Sequence, residues 1–215
     1  PGGESWAGDW EAGAEAYAGG AGGGAGPGAG PGAGPAGDGT ARTQAGGPTE
    51  VERHALWALQ ISPDAVSAYA VPQMFPHPTA AAAFDVLRGR LSEDDAGADV
   101  TALLERVRAN PPGGAGGSSD GDAVEYVKRA LGVVVEKLMS NASVLLRAGG
   151  DPSAGEAGAA LARLLPGLTD AAERLKEVRS ATIALKDWKQ QLRAPKTDGA
   201  LLAEVAEWFR DRAGK

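Results

Sequence analysis

From residue 49 onward, apolar residues return at three- and four-residue steps, the pattern of helices buried along one face. In "PTEVERHALWALQISP", Val51, Ala55 and Leu59 keep that step. Thr49 is placed to cap this helix, with Glu50 and Glu52 in a first turn whose dipole favours anions. Pro63 ends it and opens a short helix through Tyr69, with Ser62 as the expected cap. "VPQMFPHP" cannot be helix, because its prolines impose extended or turn geometry. Its Met74 and Phe75 are expected to lie against the helices. A helix across "PTAAAAFDVLRGRLSED" follows, capped by Thr79, with Phe84, Leu87 and Leu91 on one face. The next, in "ADVTALLERVRANPP", carries Val100, Leu103, Leu104 and Val107, and Pro111 and Pro112 stop it.

The C-terminal part repeats the pattern at greater length. From Asp122 to Ala148, Val124, Val127, Leu131, Val134, Leu138, Ala142 and Leu145 form one stripe, closed by a left-handed Gly149 or Gly150. A short helix begins at Asp151-Pro152 and ends at Pro166-Gly167. A second long helix is expected from about Asp170 to Arg193, with Ala171, Leu175, Val178, Thr182, Leu185 and Leu192 in its stripe. A last helix spans Asp198 to Ala213, through Leu201, Leu202, Val205, Trp208 and Phe209. No segment alternates with the period of a strand. Two long helices of near-equal length, joined by short elements, predict an all-α fold: an antiparallel helical bundle.

The first 48 residues break this pattern. They hold 18 of the 33 glycines, and Glu4, Asp9, Glu11, Glu15 and Asp38 face Arg42 alone. Such a segment buries too little apolar surface to offset its conformational entropy, so it is expected to be disordered or docked on a partner. The expected organisation is therefore an acidic aromatic docking segment at 1–17 and a flexible Gly/Ala/Pro linker at 18–48. A small helical subdomain at 49–112, a linker at 113–121 and a helical bundle at 122–215 complete it. In "SWAGDWEAGAEAY", Trp6, Trp10 and Tyr17 fall on one helical face. Gly8 and Gly13 each cost about 1 kcal/mol relative to Ala, so this helix should form only on a surface. Docking on a partner, folding back on the chain's own bundle, and disorder without a contact are the alternatives; the first is the leading expectation.

Composition narrows the chemistry. The 215 residues contain no Cys, which excludes disulfides and cysteine-based metal sites or nucleophiles. A net charge of -7 argues against general attraction to nucleic acid or anionic membranes. No apolar run reaches the length that spans a bilayer. His54 and His77 are the two histidines; a zinc site would need them together with a carboxylate, and across the proline-rich segment nothing in the sequence brings them together. No G-x-S-x-G and no phosphate-loop motif occurs. The expectation is a non-catalytic protein without cofactor or metal, whose partners are other protein subunits. Asn141-Ala-Ser143 matches a glycosylation sequon but lies mid-helix. Lys186, Lys189, Arg193 and Lys196 surround Trp188 and read as a solvated helix face or a site for an anion or acidic partner. The chain begins with Pro, as a processed organellar or secreted protein or an expressed fragment would. Abundant Ala, Gly, Arg and Pro suggest a GC-rich genome. The expected location is an organelle, chloroplast or mitochondrion, of a GC-rich alga, with bacterial cytoplasm as the alternative.

"DWKQQL", Asp187 to Leu192, resembles the Rubisco-binding motif of green-algal pyrenoid proteins: Asp or Asn, Trp, Arg or Lys, two free positions, then a small aliphatic residue. That motif forms a short helix that docks on Rubisco, and the resemblance implies contacts from Trp188, Lys189 and Leu192. "DWEAGA", Asp9 to Ala14, is a near match in which Glu11 replaces the basic residue. In architecture alone, a Gly/Pro-rich tail before a helical bundle looks like the PsbQ-type extrinsic subunits of photosystem II. The leading reading is a structural or adaptor subunit that braces or tethers a larger protein assembly. A Rubisco-binding pyrenoid protein and an extrinsic photosystem-type subunit are alternatives. A third is a helical enzyme or small-ligand-binding protein with a pocket under "AYAVPQMFPHP".

Overall fold

The structure, a computed structural model, describes residues 47–112, 119–148 and 155–213. Trp6, Trp10, Tyr17, nearly all of the 18–48 tract, and the caps expected at Gly149, Gly150 and Asp151-Pro152 lie outside the described residues. Within them the fold is all-α, a helical bundle with no strand. The helices are α1 (Glu50–Ile61), α2 (Pro63–Val66), α3 (Pro78–Leu87), α4 (Glu93–Ala96) and α5 (Ala98–Ala109). They continue with α6 (Asp120–Arg147), α7 (Gly155–Leu164), α8 (Ala171–Ser180), α9 (Thr182–Leu192) and α10 (Gly199–Ala213). A 3-10 turn at Pro72–Met74 interrupts the proline-rich segment.

At 28 residues, α6 is the longest helix, about 42 Å at 1.5 Å per residue. Ser119 and Asp122 close a capping box at its start. Val127, Leu131, Val134, Leu138 and Leu145 are buried along it, joined on the flank by Ala130, Val135 and Met139. Helices α1, α2, α7, α8, α9 and α10 all pack on this broad apolar surface. Pairing of Lys128 with Ala194 and of Glu136 with Lys189 sets α9 antiparallel to α6.

Five expectations need correction. The stretch at 113–121 does not separate two cores: α1 packs along α6, and residues 46–215 make one compact unit. Trp57, buried in α1, meets Tyr126 of α6 edge-on at 5.8 Å. The helix after the proline-rich segment is capped by His77, not Thr79. Pro78 takes the first helical position, and His77 Nδ1 accepts from the Thr79 N–H at 3.2 Å. That helix stops at Leu87, because Gly89 takes the left-handed conformation at φ 65, so Leu91 lies beyond it.

The expected long helix 170–193 is two helices, broken at Ala181. Ser180 Oγ donates to the Glu177 carbonyl at 2.8 Å, and Thr182 Oγ1 donates to the Val178 carbonyl at 3.0 Å. Hydroxyls that bond back onto the preceding turn bend helices in this way. Ser62 stands at the start of α2 without a side-chain capping bond.

One buried carboxylate ties α1 to α3. Glu52 accepts from the Thr49 N–H and the Thr49 hydroxyl, both at 2.7 Å, and its other oxygen accepts from the His77 N–H at 2.9 Å. Glu52→Ala removes three hydrogen bonds of a buried carboxylate, although the donors on exposed Thr49 and half-buried His77 regain water, and it is expected to lower stability by about 1–3 kcal/mol. Thr49→Ala should cost about 1 kcal/mol. Urea unfolding followed by helical circular dichroism checks both values and their order.

Candidate functional site: the α6–α9 seam and the proline-walled cleft

The residues of "DWKQQL" sit on α9, and the bundle takes the residue expected to dominate docking for itself. Trp188 is 4% exposed and meets Trp208 of α10 at 5.9 Å, edge to face. Leu192 is equally buried, against α6 near Gly132. Lys189 alone of the three implied contacts reaches solvent, and it pairs with Glu136 at 3.6 Å. Arg193 pairs with the same carboxylate. A helix that docks through Trp188 and Leu192 would have to leave the bundle first. The Rubisco-docking reading of this stretch therefore loses two of its three contacts to the core.

The neighbouring groove between α6 and α9 holds about 270 Å3. Glu125, Lys128, Arg129, Glu136, Lys189 and Arg193 line it in mixed sign. Lys128 is buried, pairs with Glu125 at 2.6 Å and donates to the Ala194 carbonyl at 2.9 Å. Lys128, Lys189 and Arg193 are engaged in holding α9 to α6, so the groove is a seam of the fold.

A second cleft, of about 650 Å3, lies beside the proline-rich segment. Val71, Met74 and Phe75 point into the core, and Phe75 stacks on Phe84 at 4.8 Å. That anchoring leaves Pro72, Gln73 and Pro76 as one wall. Arg163, Leu164 and Pro166 come from the end of α7, Arg210 and Ala213 from the end of α10, and Arg90 from the turn after α3. All three charged lining residues are arginines. Arg90 pairs with Asp85 at 3.6 Å, and Arg210 donates to the Ala68 carbonyl. Arg163 has no hydrogen-bond or carboxylate partner among the described residues. Gln73 is 8% exposed, and both polar atoms of its amide are closed from solvent without a hydrogen-bond partner.

The two histidines serve the fold. His77 caps α3. His54 packs its ring on Tyr126 at 5.0 Å and lies 3.7 Å from Glu50. Burial holds the His54 imidazole below its usual range of 6.5; Glu50 opposes this, and Arg129 and Arg53 add to it. Among the described residues no group of three or more His, Cys, Asp or Glu is placed to hold a metal ion. No described helix is long and apolar enough to cross a membrane. The chain matches no protein-family model, and comparison with curated proteins and with solved structures gives no match.

Trp188→Ala is expected to destabilise the bundle by about 3–5 kcal/mol, the cost of emptying a large core site. Lys189→Ala should cost under about 1 kcal/mol, as an exposed pair does. Chemical denaturation of the two variants separates a core role from a surface role. For His54 the folded form resists the proton that the unfolded chain accepts. Its stabilising contribution is complete above about pH 6.5 and falls as pH drops through the lower folded value. Melting curves between pH 7.5 and 5 should show a shallower decline for His54→Gln than for the native chain.

Proposed function

We propose that this protein is a non-catalytic structural or adaptor subunit of a larger protein assembly. It attaches at two places: the acidic aromatic segment at 1–17 and a surface of the helical bundle. The observation that supports this reading is the spacing of Trp6, Trp10 and Tyr17 beyond a long Gly/Ala/Pro tract. A helix weakened by Gly8 and Gly13 gains its stability from the surface that receives its aromatic face. The tract converts the second attachment into an intramolecular event, which raises avidity without a large rigid interface. An extrinsic helical subunit of the photosystem type is one instance of this class.

A second reading, a small-ligand-binding helical protein, is favoured by the proline-walled cleft. Its volume lies within the usual range for ligand pockets, and it joins an apolar wall to a few polar groups.

Removal of residues 1–17 tests the adaptor reading. The shortened chain should keep the melting temperature of the full chain. It should lose the partner subunits that co-purify with the full chain from its native host, and Trp6→Ala with Trp10→Ala should reproduce the loss. Unchanged co-purification would overturn the two-site attachment.

A further inference from the structure

The proline-walled cleft has a chemistry of its own. The protein as a whole carries a net charge of -7, yet every charged residue lining this cleft is an arginine. Helix ends explain part of this. Arg163 lies in the last turn of α7 and Arg210 in the last turn of α10, where a cation complements the dipole. A helix C-terminus carries only about half a negative charge, so each arginine leaves positive charge in excess. Asp85 offsets Arg90, and no carboxylate pairs with Arg163 or Arg210 among the described residues.

The wall opposite is equally specific. Pro72 and Pro76 present rigid apolar rings, and the amide of Gln73, a residue of the same wall, is closed from solvent without a partner. A buried amide left in this state costs about 1–3 kcal/mol unless a partner can be supplied. Guanidinium groups beside apolar rings and an unsatisfied amide suit a ligand with an anionic head and a flat apolar body.

We propose that the cleft is a binding site for a small organic anion, a carboxylate or phosphate ester carried on a flat apolar group. Arg163 and Arg210 hold the anionic head, and the prolines receive the body. Gln73 turns its amide toward the bound molecule. This inference rests on the small-ligand reading and gives that reading a ligand class.

The test is titration of the full chain with benzoate, phenyl phosphate, inorganic phosphate and neutral benzamide, followed by amide chemical shifts in NMR. At least one aromatic anion should saturate and shift the amides of Gln73, Met74 and Phe75. Benzoate against phenyl phosphate distinguishes the two head groups, and inorganic phosphate reports the head alone. Arg163→Ala should weaken the aromatic anion about tenfold or more, while Arg108→Ala, exposed on α5, should not. Arg163 makes no hydrogen bond or ion pair among the described residues, so its loss should cost at most the small stabilisation of its favourable place at the end of α7 and lower the melting temperature only slightly. Gln73→Leu should raise the melting temperature and weaken binding together. If benzamide binds as well as the anions and Arg163→Ala changes neither, the anion proposal is overturned while the small-ligand reading stands. If no probe shifts the amides of Gln73, Met74 and Phe75, both are overturned.

Discussion

The apolar surface of α6 is wider than one helix can cover. Its buried positions extend from the Val127–Leu131–Val134–Leu138 line onto the flank of Ala130, Val135 and Met139. A single antiparallel neighbour shields about one face of a helix. The remaining faces draw in α1, α2, α7 and α10, and this is why the chain on both sides of 113–121 shares one core. Many of the contacts are alanines, as at Ala55, Ala58, Ala123 and Ala142, which let helices approach closely but bury little area each. Larger anchors make up the difference: Trp57 against Tyr126, and Trp188 against Trp208.

Two buried charged groups then fix what apolar packing leaves free. Glu52 holds the start of α1 to the start of α3, and Lys128 holds α6 to the carbonyl just past α9. Both bond to backbone groups that a helix end or turn leaves unpaired, so each satisfies a need of the main chain as well as its own. Glu52 also determines where the proline-rich segment ends. That segment has its apolar side chains inside and its far end tied at His77, and its prolines are left facing the ends of α7 and α10. The cleft is a geometric consequence of these restraints.

Where local chemistry and periodicity agreed, the fold was legible from sequence. α5 has four buried residues at the expected spacing and a proline stop, and α1 has both its stripe and its cap. Where a local rule overrode the period, the reading failed. Leu91 kept the step of Phe84 and Leu87, but Gly89 had already turned the chain. The break at Ala181 was hidden because the stripe resumes in phase: Leu185, Trp188 and Leu192 continue from Leu175 and Val178. That same phase was the available signal for Trp188, since it lies three residues after Leu185 and four before Leu192. A six-residue motif can describe either an exposed docking face or a buried stripe, and the longer pattern decided between them. The cleft arginines, at 90, 163 and 210, are too far apart in sequence for any periodicity to join them.

Charge connects the cleft to the rest of the chain. Acidic side chains outnumber basic ones over the whole sequence, so the distant field repels anions. At physiological ionic strength that field is screened beyond about 8 Å. Within that distance the arginines and the carbonyl-rich ends of α7 and α10 determine what an approaching group experiences. Small anions would therefore be selected by contact, after entry, and not by steering from afar. A polyanion is different: most of its charge would remain outside the cleft, against an acidic surface. The same acidic balance that argues against nucleic acid for the whole protein thus favours a compact anion at this one place.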